Sequence, residues 1–92
     1  MERPWFPFYT RDWRSDLALR SVPPAARGLW IDLMSLMHEG DPYGHLATQG
    51  KPIPNETAAP LLGYPLPIYT ELLTTLETAG VCSRTATGLL YS

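Results

Sequence analysis

The segment "AARGLWIDLMSLMHEG" constrains this 92-residue chain more than any other feature. Ala26, Leu29, Trp30, Leu33, Met34 and Met37 fall at i, i+3, i+4, i+7, i+8 and i+11, which is one face of an α-helix. That spacing predicts a central core helix with Pro24 in its first turn, Gly40 as its terminating residue, and Asp32, Ser35 and Glu39 on its wet face. Ile31 and Leu36 lie off the stripe, so the helix is expected to meet neighbours on two sides.

The rest of the chain is organised around that helix. "RPWFPFYTRDW" carries Pro4 and Pro7, which forbid a central strand, and reads as an extended aromatic strap. Trp5, Phe6, Phe8, Tyr9 and Trp13 are expected to cover one end of the domain. "RSDLALRS" suits a turn or short helix with Ser15 or Asp16 as its cap. Asp41-Pro42-Tyr43-Gly44 has tight-turn composition, His45-Leu46-Ala47 is a strand candidate, and Gln49-Gly50 makes a second turn. "PNETAAPLLG" offers Asn55 as a cap and a short helix burying Ala58, Leu61 and Leu62; Pro60 inside it implies an irregular turn, and Gly63 stops it. A further helix begins at Pro65 and Pro67, turns Tyr69, Leu72, Leu73, Leu76 and Ala79 inward, and ends at Gly80. "VCSR" and "LLYS" around "TATG" read as a β-hairpin.

The expected fold class is therefore mainly α with a small β-hairpin, in winged helix-turn-helix order: a single domain over residues 1–92, with a strap at 1–20, a helical core at 24–80 and a wing at 81–92. No apolar run approaches the roughly 20 residues of a membrane span, and no secretory leader pattern opens the chain, so a cytoplasmic protein is expected. Cys82 is the single cysteine, which excludes an internal disulfide and agrees with a reducing compartment.

Charge is distributed unevenly. Residues 1–28 carry five arginines against Glu2, Asp12 and Asp16, a net of +2, whereas from Leu29 onward Lys51 and Arg84 oppose six carboxylates, a net of −4.

The strings "PWFPFYTRDW", "ARGLWIDLMSLMHEGDPYGHL", "GKP", "LLG" and "LETAGV" resemble the amino-terminal winged-helix domain of phage and prophage replication initiators and replisome organisers. The likeness covers nearly the whole chain, and its most specific part is the tryptophan-bearing helix leading into "HEGDPYGH". It implies a DNA-binding or self-associating domain. The family's functions that reside in sequence after this domain are not carried over, and the chain is expected to be a stand-alone domain or an adapted remnant. Where family members carry a polar cap and charged residues, this chain has Tyr64-Pro65-Leu66-Pro67-Ile68.

On that reading the third helix of the motif enters the major groove and the wing touches the backbone. Lys51, Thr70, Thr74 and Arg84 are the expected DNA contacts, with the amino-terminal arginines as further cations. Thr75 and Thr78 extend the hydroxyl-rich face. Hydroxyls discriminate bases poorly, and a helix bearing only Glu71 and Glu77 repels phosphate. Leu66, Ile68 and Tyr69, if exposed, instead form an apolar patch suited to a protein.

Two functions are expected. One is weak or assisted DNA association within a replication or regulatory complex. The other is a small phage-encoded inhibitor that binds a protein, in the manner of anti-CRISPR proteins or other antagonists of host factors, and the charge pattern favours it. A homodimer through the strap or the core helix's second apolar side is also open. No enzyme activity, metal or cofactor is expected: His38, Glu39, Asp41, His45 and Cys82 match no metal-ligand spacing, and no nucleophile elbow or phosphate-cradling loop is present. The tryptophans are assigned to packing rather than to stacking on single strands.

Overall fold

A computed structural model describes residues 5–91 of the chain. Met1, Glu2, Arg3, Pro4 and Ser92 lie outside the described residues, and with them the ends of the expected strap and wing and the cation expected at Arg3. The molecule is mainly helical with two small antiparallel hairpins.

The strap is not fully extended. After residues 5–9 the chain turns into helix α1 (Thr10–Ser15) and then α2 (Leu17–Ser21). Asp16 separates them and caps α2, accepting the Leu19 N–H at 3.2 Å, whereas Ser15 Oγ donates to the Arg11 carbonyl at 2.8 Å. The expectation that five aromatics seal one end of the domain is corrected. Trp13 packs against the core, but Trp5 is 74% and Tyr9 68% exposed, and Phe8 is exposed as well.

Helix α3 (Pro24–His38) follows its periodicity. Pro24 opens it, and Ala26, Leu29, Trp30, Leu33 and Met37 are buried with Met34 packed beside them. Leu36 joins the core margin while Ile31 remains exposed, so only one of the two off-stripe residues finds a neighbour. Gly40 ends the helix by a different route from the one expected. Its φ is not positive; instead a Cβ there would run into the His45 carbonyl oxygen, so glycine is required by close backbone approach.

Strands β1 (Ala47–Thr48) and β2 (Lys51–Pro52) form a hairpin that spacing alone did not disclose. Its turn uses Gln49 and Gly50 with φ of +51° and +77°, the pair of left-handed residues that matches strand twist in a two-residue loop. Just before it, His45 bridges Tyr91 and the Leu46 N–H donates to the Leu90 carbonyl at 2.8 Å, tying this region to the carboxy-terminal hairpin.

Helix α4 (Asn55–Leu61) begins after Pro54, so Asn55 lies inside the first turn and makes no cap. Ala58 and Ala59 are buried, Leu62 packs against the core, and Leu61 is 63% exposed, contrary to its expected inward position. At 100° per residue Leu61 falls roughly 60° beyond the edge of the arc shared by the other three. Gly63 stops the helix at φ +83°.

Helix α5 (Leu66–Thr78) packs on both α3 and α4 and places Tyr69, Leu73 and Leu76 in the core. The carboxy-terminal hairpin, expected as a wing, consists of β3 (Ser83–Arg84) and β4 (Leu90–Tyr91), with Leu90 and Cys82 closing the core beneath it.

Candidate functional site

The expected reading surface is the outer side of α5 with the wing. Pro65 is the residue before the helix and Pro67 stands in its first turn, where an absent N–H costs nothing because no carbonyl precedes it. Thr70, Glu71, Thr74 and Thr78 are exposed along the outer side. The Thr70 hydroxyl donates to the Leu66 carbonyl at 2.8 Å, Thr74 to Thr70 at 3.0 Å and Thr75 to Glu71 at 3.1 Å. Their protons are committed to their own helix, leaving only oxygen acceptors facing outward.

Arg84 is not the free cation that the wing was expected to offer. Its Nη2 lies 2.6 Å from Glu77 Oε1, its Nε donates to the same oxygen at 2.8 Å, and its Nη1 donates to the Gly88 carbonyl at 3.1 Å. Every guanidinium nitrogen therefore has a partner within the fold. Lys51 is exposed but sits on the other hairpin, so the two carboxy-terminal cations belong to different elements. No lysine or arginine occurs between positions 52 and 83. The arginines nearer the amino terminus divide: Arg27 Nη1 donates to the Val22 carbonyl at 2.8 Å and Arg20 Nη2 to the Trp13 carbonyl at 3.3 Å, while Arg11 and Arg14 remain exposed.

The three residues expected to bind protein separate in the same way. Leu66 and Ile68 are exposed, at 38% and 49%, but Tyr69 is completely buried and presents no surface to a partner. Its place in the inward stripe wins over its place in the patch. Leu61, which the sequence reading put in the core, instead adds apolar surface at the end of α4, a few residues before Leu66.

Tyr69 carries an unusual group inside. Its hydroxyl is buried with no hydrogen-bond partner among the described residues, and burial pushes its pKa up to about 12, with Arg84 pulling down and Cys82 and Glu77 adding to the rise. Burial likewise pushes the Cys82 thiol up to about 11, with Glu77 reinforcing and Arg84 opposing, so it stays protonated and unreactive at neutral pH. The Tyr64 hydroxyl donates to Asp32 Oδ2 at 2.7 Å, joining the α4–α5 connection to α3.

His38 Nδ1 lies 2.8 Å from the Tyr43 hydroxyl and His45 Nδ1 3.0 Å from the Tyr43 carbonyl. Among the described residues no group of three or more His, Cys, Asp or Glu could hold a metal ion, and no helix is long and apolar enough to cross a membrane. Comparison with family models, with curated proteins and with solved structures finds no match for this chain.

Proposed function

We propose that this protein is a non-catalytic winged-helix module that acts by binding a protein, through the face where α5 begins, rather than by reading DNA with α5. The order of α3, the 45–48 segment, α4, α5 and the β3–β4 hairpin supports the winged-helix part of this reading. So does the pairing of Leu46 with Leu90, which attaches the first extended segment to the second arm of the wing.

One observation carries the choice of partner: Arg84 is neutralised by Glu77 on the very helix that a groove would have to accept. With Glu71 also exposed, this side of the domain offers phosphate no uncompensated cation, and phosphate neutralisation supplies most non-specific affinity for DNA. Leu66 and Ile68 provide apolar area in the first turn of the same helix. The resemblance to replication winged helices implies a partner that handles nucleic acid.

Ile68→Asp is expected to abolish capture of the partner from a lysate of the source cell while far-ultraviolet circular dichroism stays unchanged. Undiminished capture would remove this face from the proposal. The second reading, assisted DNA association, draws on the exposure of Lys51, Thr70 and Thr74. A salt titration with duplex DNA separates the two: affinity that falls steeply with salt and weakens on Lys51→Ala supports the DNA reading, and absence of binding at low salt supports the protein reading.

A further inference from the structure

A cleft of about 350 Å³ opens beneath the strap, between residues 6–9, the α1–α2 corner, the Trp30–Met34 edge of the inward face of α3, and Val81. Its floor is apolar, with Leu19 and Trp30 buried there, and Phe8, Tyr9 and Trp13 bring aromatic surface to its sides. The Phe8 and Trp13 rings lie 5.3 Å apart and tilted. Two carboxylates, Asp12 and Asp16, also line it, and none of the described residues that line it is a lysine, arginine or histidine.

The helical turn explains this segregation. At 100° per residue, Tyr9, Asp12, Trp13 and Asp16 share one side of α1, while Arg11 and Arg14 fall on the other. Arg20 donates to the Trp13 carbonyl and forms no ion pair with Asp12 or Asp16. Asp16 gives one oxygen to the Leu19 N–H and has another to offer; Asp12 forms no ion pair among the described residues. The cleft thus combines aromatic rings, an apolar floor and two carboxylates that are in no ion pair among the described residues.

We infer that this cleft receives an arginine side chain from a partner protein. A guanidinium stacks flat on aromatic faces, presents its fork of donors to carboxylates, and follows an aliphatic stem that an apolar floor accommodates. A macromolecular source fits the surroundings: Trp5 and Leu17, each next in the chain to a lining residue, are 74% and 84% exposed, apolar area that a covering surface would bury. The cleft is built from different elements than the Leu66 and Ile68 face, so its failure as a site leaves that reading intact.

The test titrates the protein with a blocked Gly-Arg-Gly peptide and with the same peptide carrying citrulline, which keeps the shape and removes the charge, following the indole N–H resonances of Trp13 and Trp30. The arginine peptide is expected to shift both, with the citrulline peptide at least roughly tenfold weaker, as loss of charge-assisted hydrogen bonds implies. Asp12→Asn alone should weaken the arginine peptide severalfold, and the Asp12→Asn, Asp16→Asn double variant should erase the preference, with asparagine retaining the helix cap. Thermal melts establish that both variants fold. Equal shifts from the two peptides, no shift at Trp13 and Trp30, or an undiminished preference in either variant would overturn the assignment. Binding of free butylguanidinium as tight as that of the arginine peptide would overturn the protein source. Concentration-dependent sedimentation lost in the double variant would assign the cleft to a second copy of this chain instead.

Discussion

Tyr69 and Gly40 each put a single atom in a place where its neighbours decide the energetics. The Tyr69 hydroxyl is sealed inside without a partner among the described residues, so the fold bears its desolvation with no hydrogen bond in return. Tyr69→Phe removes that cost and keeps the ring, and is expected to be neutral or stabilising by up to about 1 kcal/mol, seen as a higher urea midpoint at unchanged m-value. A lower midpoint would mean that the hydroxyl is satisfied in solution. At Gly40 the missing Cβ is what lets the chain pass the His45 carbonyl. Gly40→Ala is therefore expected to cost on the order of 2–3 kcal/mol, because a backbone group rather than a flexible side chain must move. A melt within a degree or two of wild type would contradict that.

Helix α5 and the β3–β4 hairpin act as one electrostatic unit. The Arg84–Glu77 pair has side chains 43% and 34% exposed, so its direct contribution to stability is about 0–1 kcal/mol. Its consequence is for binding: one carboxylate cancels the hairpin's cation. Glu77→Gln should leave stability nearly unchanged and raise affinity for duplex DNA at low salt, steepening the salt slope by about one unit. Unchanged affinity would show that Arg84 is not what limits phosphate binding. Element by element, the helices were readable where periodicity and proline placement agreed, as in α3 and α5. They were less readable in α4, where helical phase puts Leu61 outside the arc of Ala58, Ala59 and Leu62, and in α1, whose single turn and a half lies inside a stretch that proline made look extended.

Across the whole molecule, two phenols link the packed helices to pH. Burial, then the hydrogen bond to Asp32 and its charge, push Tyr64 up to about 12, and burial chiefly does the same for Tyr69, against an ordinary value of 10.0. In the unfolded chain both lose their protons first, so the unfolded state binds fewer protons as the solution turns alkaline. Stability attributable to these groups is complete below pH about 10 and declines as pH rises through about 12. Denaturant melts followed from pH 8 upward should show a plateau and then a fall. Absorbance of phenolate in the folded protein should lag behind that of a denatured sample. Coincident titration curves would contradict the burial of both rings.

The sequence by itself determined the helical stripe of α3, the inward face of α5, the stops at Gly63 and Gly80, the carboxy-terminal hairpin, and the lack of cations between Lys51 and Arg84. Each depends on spacing, on a local backbone preference or on formal charge, which neighbours in the chain are enough to set. Only the tertiary structure decided that Glu77 holds Arg84 and that Asp12 and Asp16 share a cleft with Trp30. Those facts join residues on separate elements, and their relative placement follows from how α3, α4 and α5 pack, a cooperative outcome that no single segment encodes.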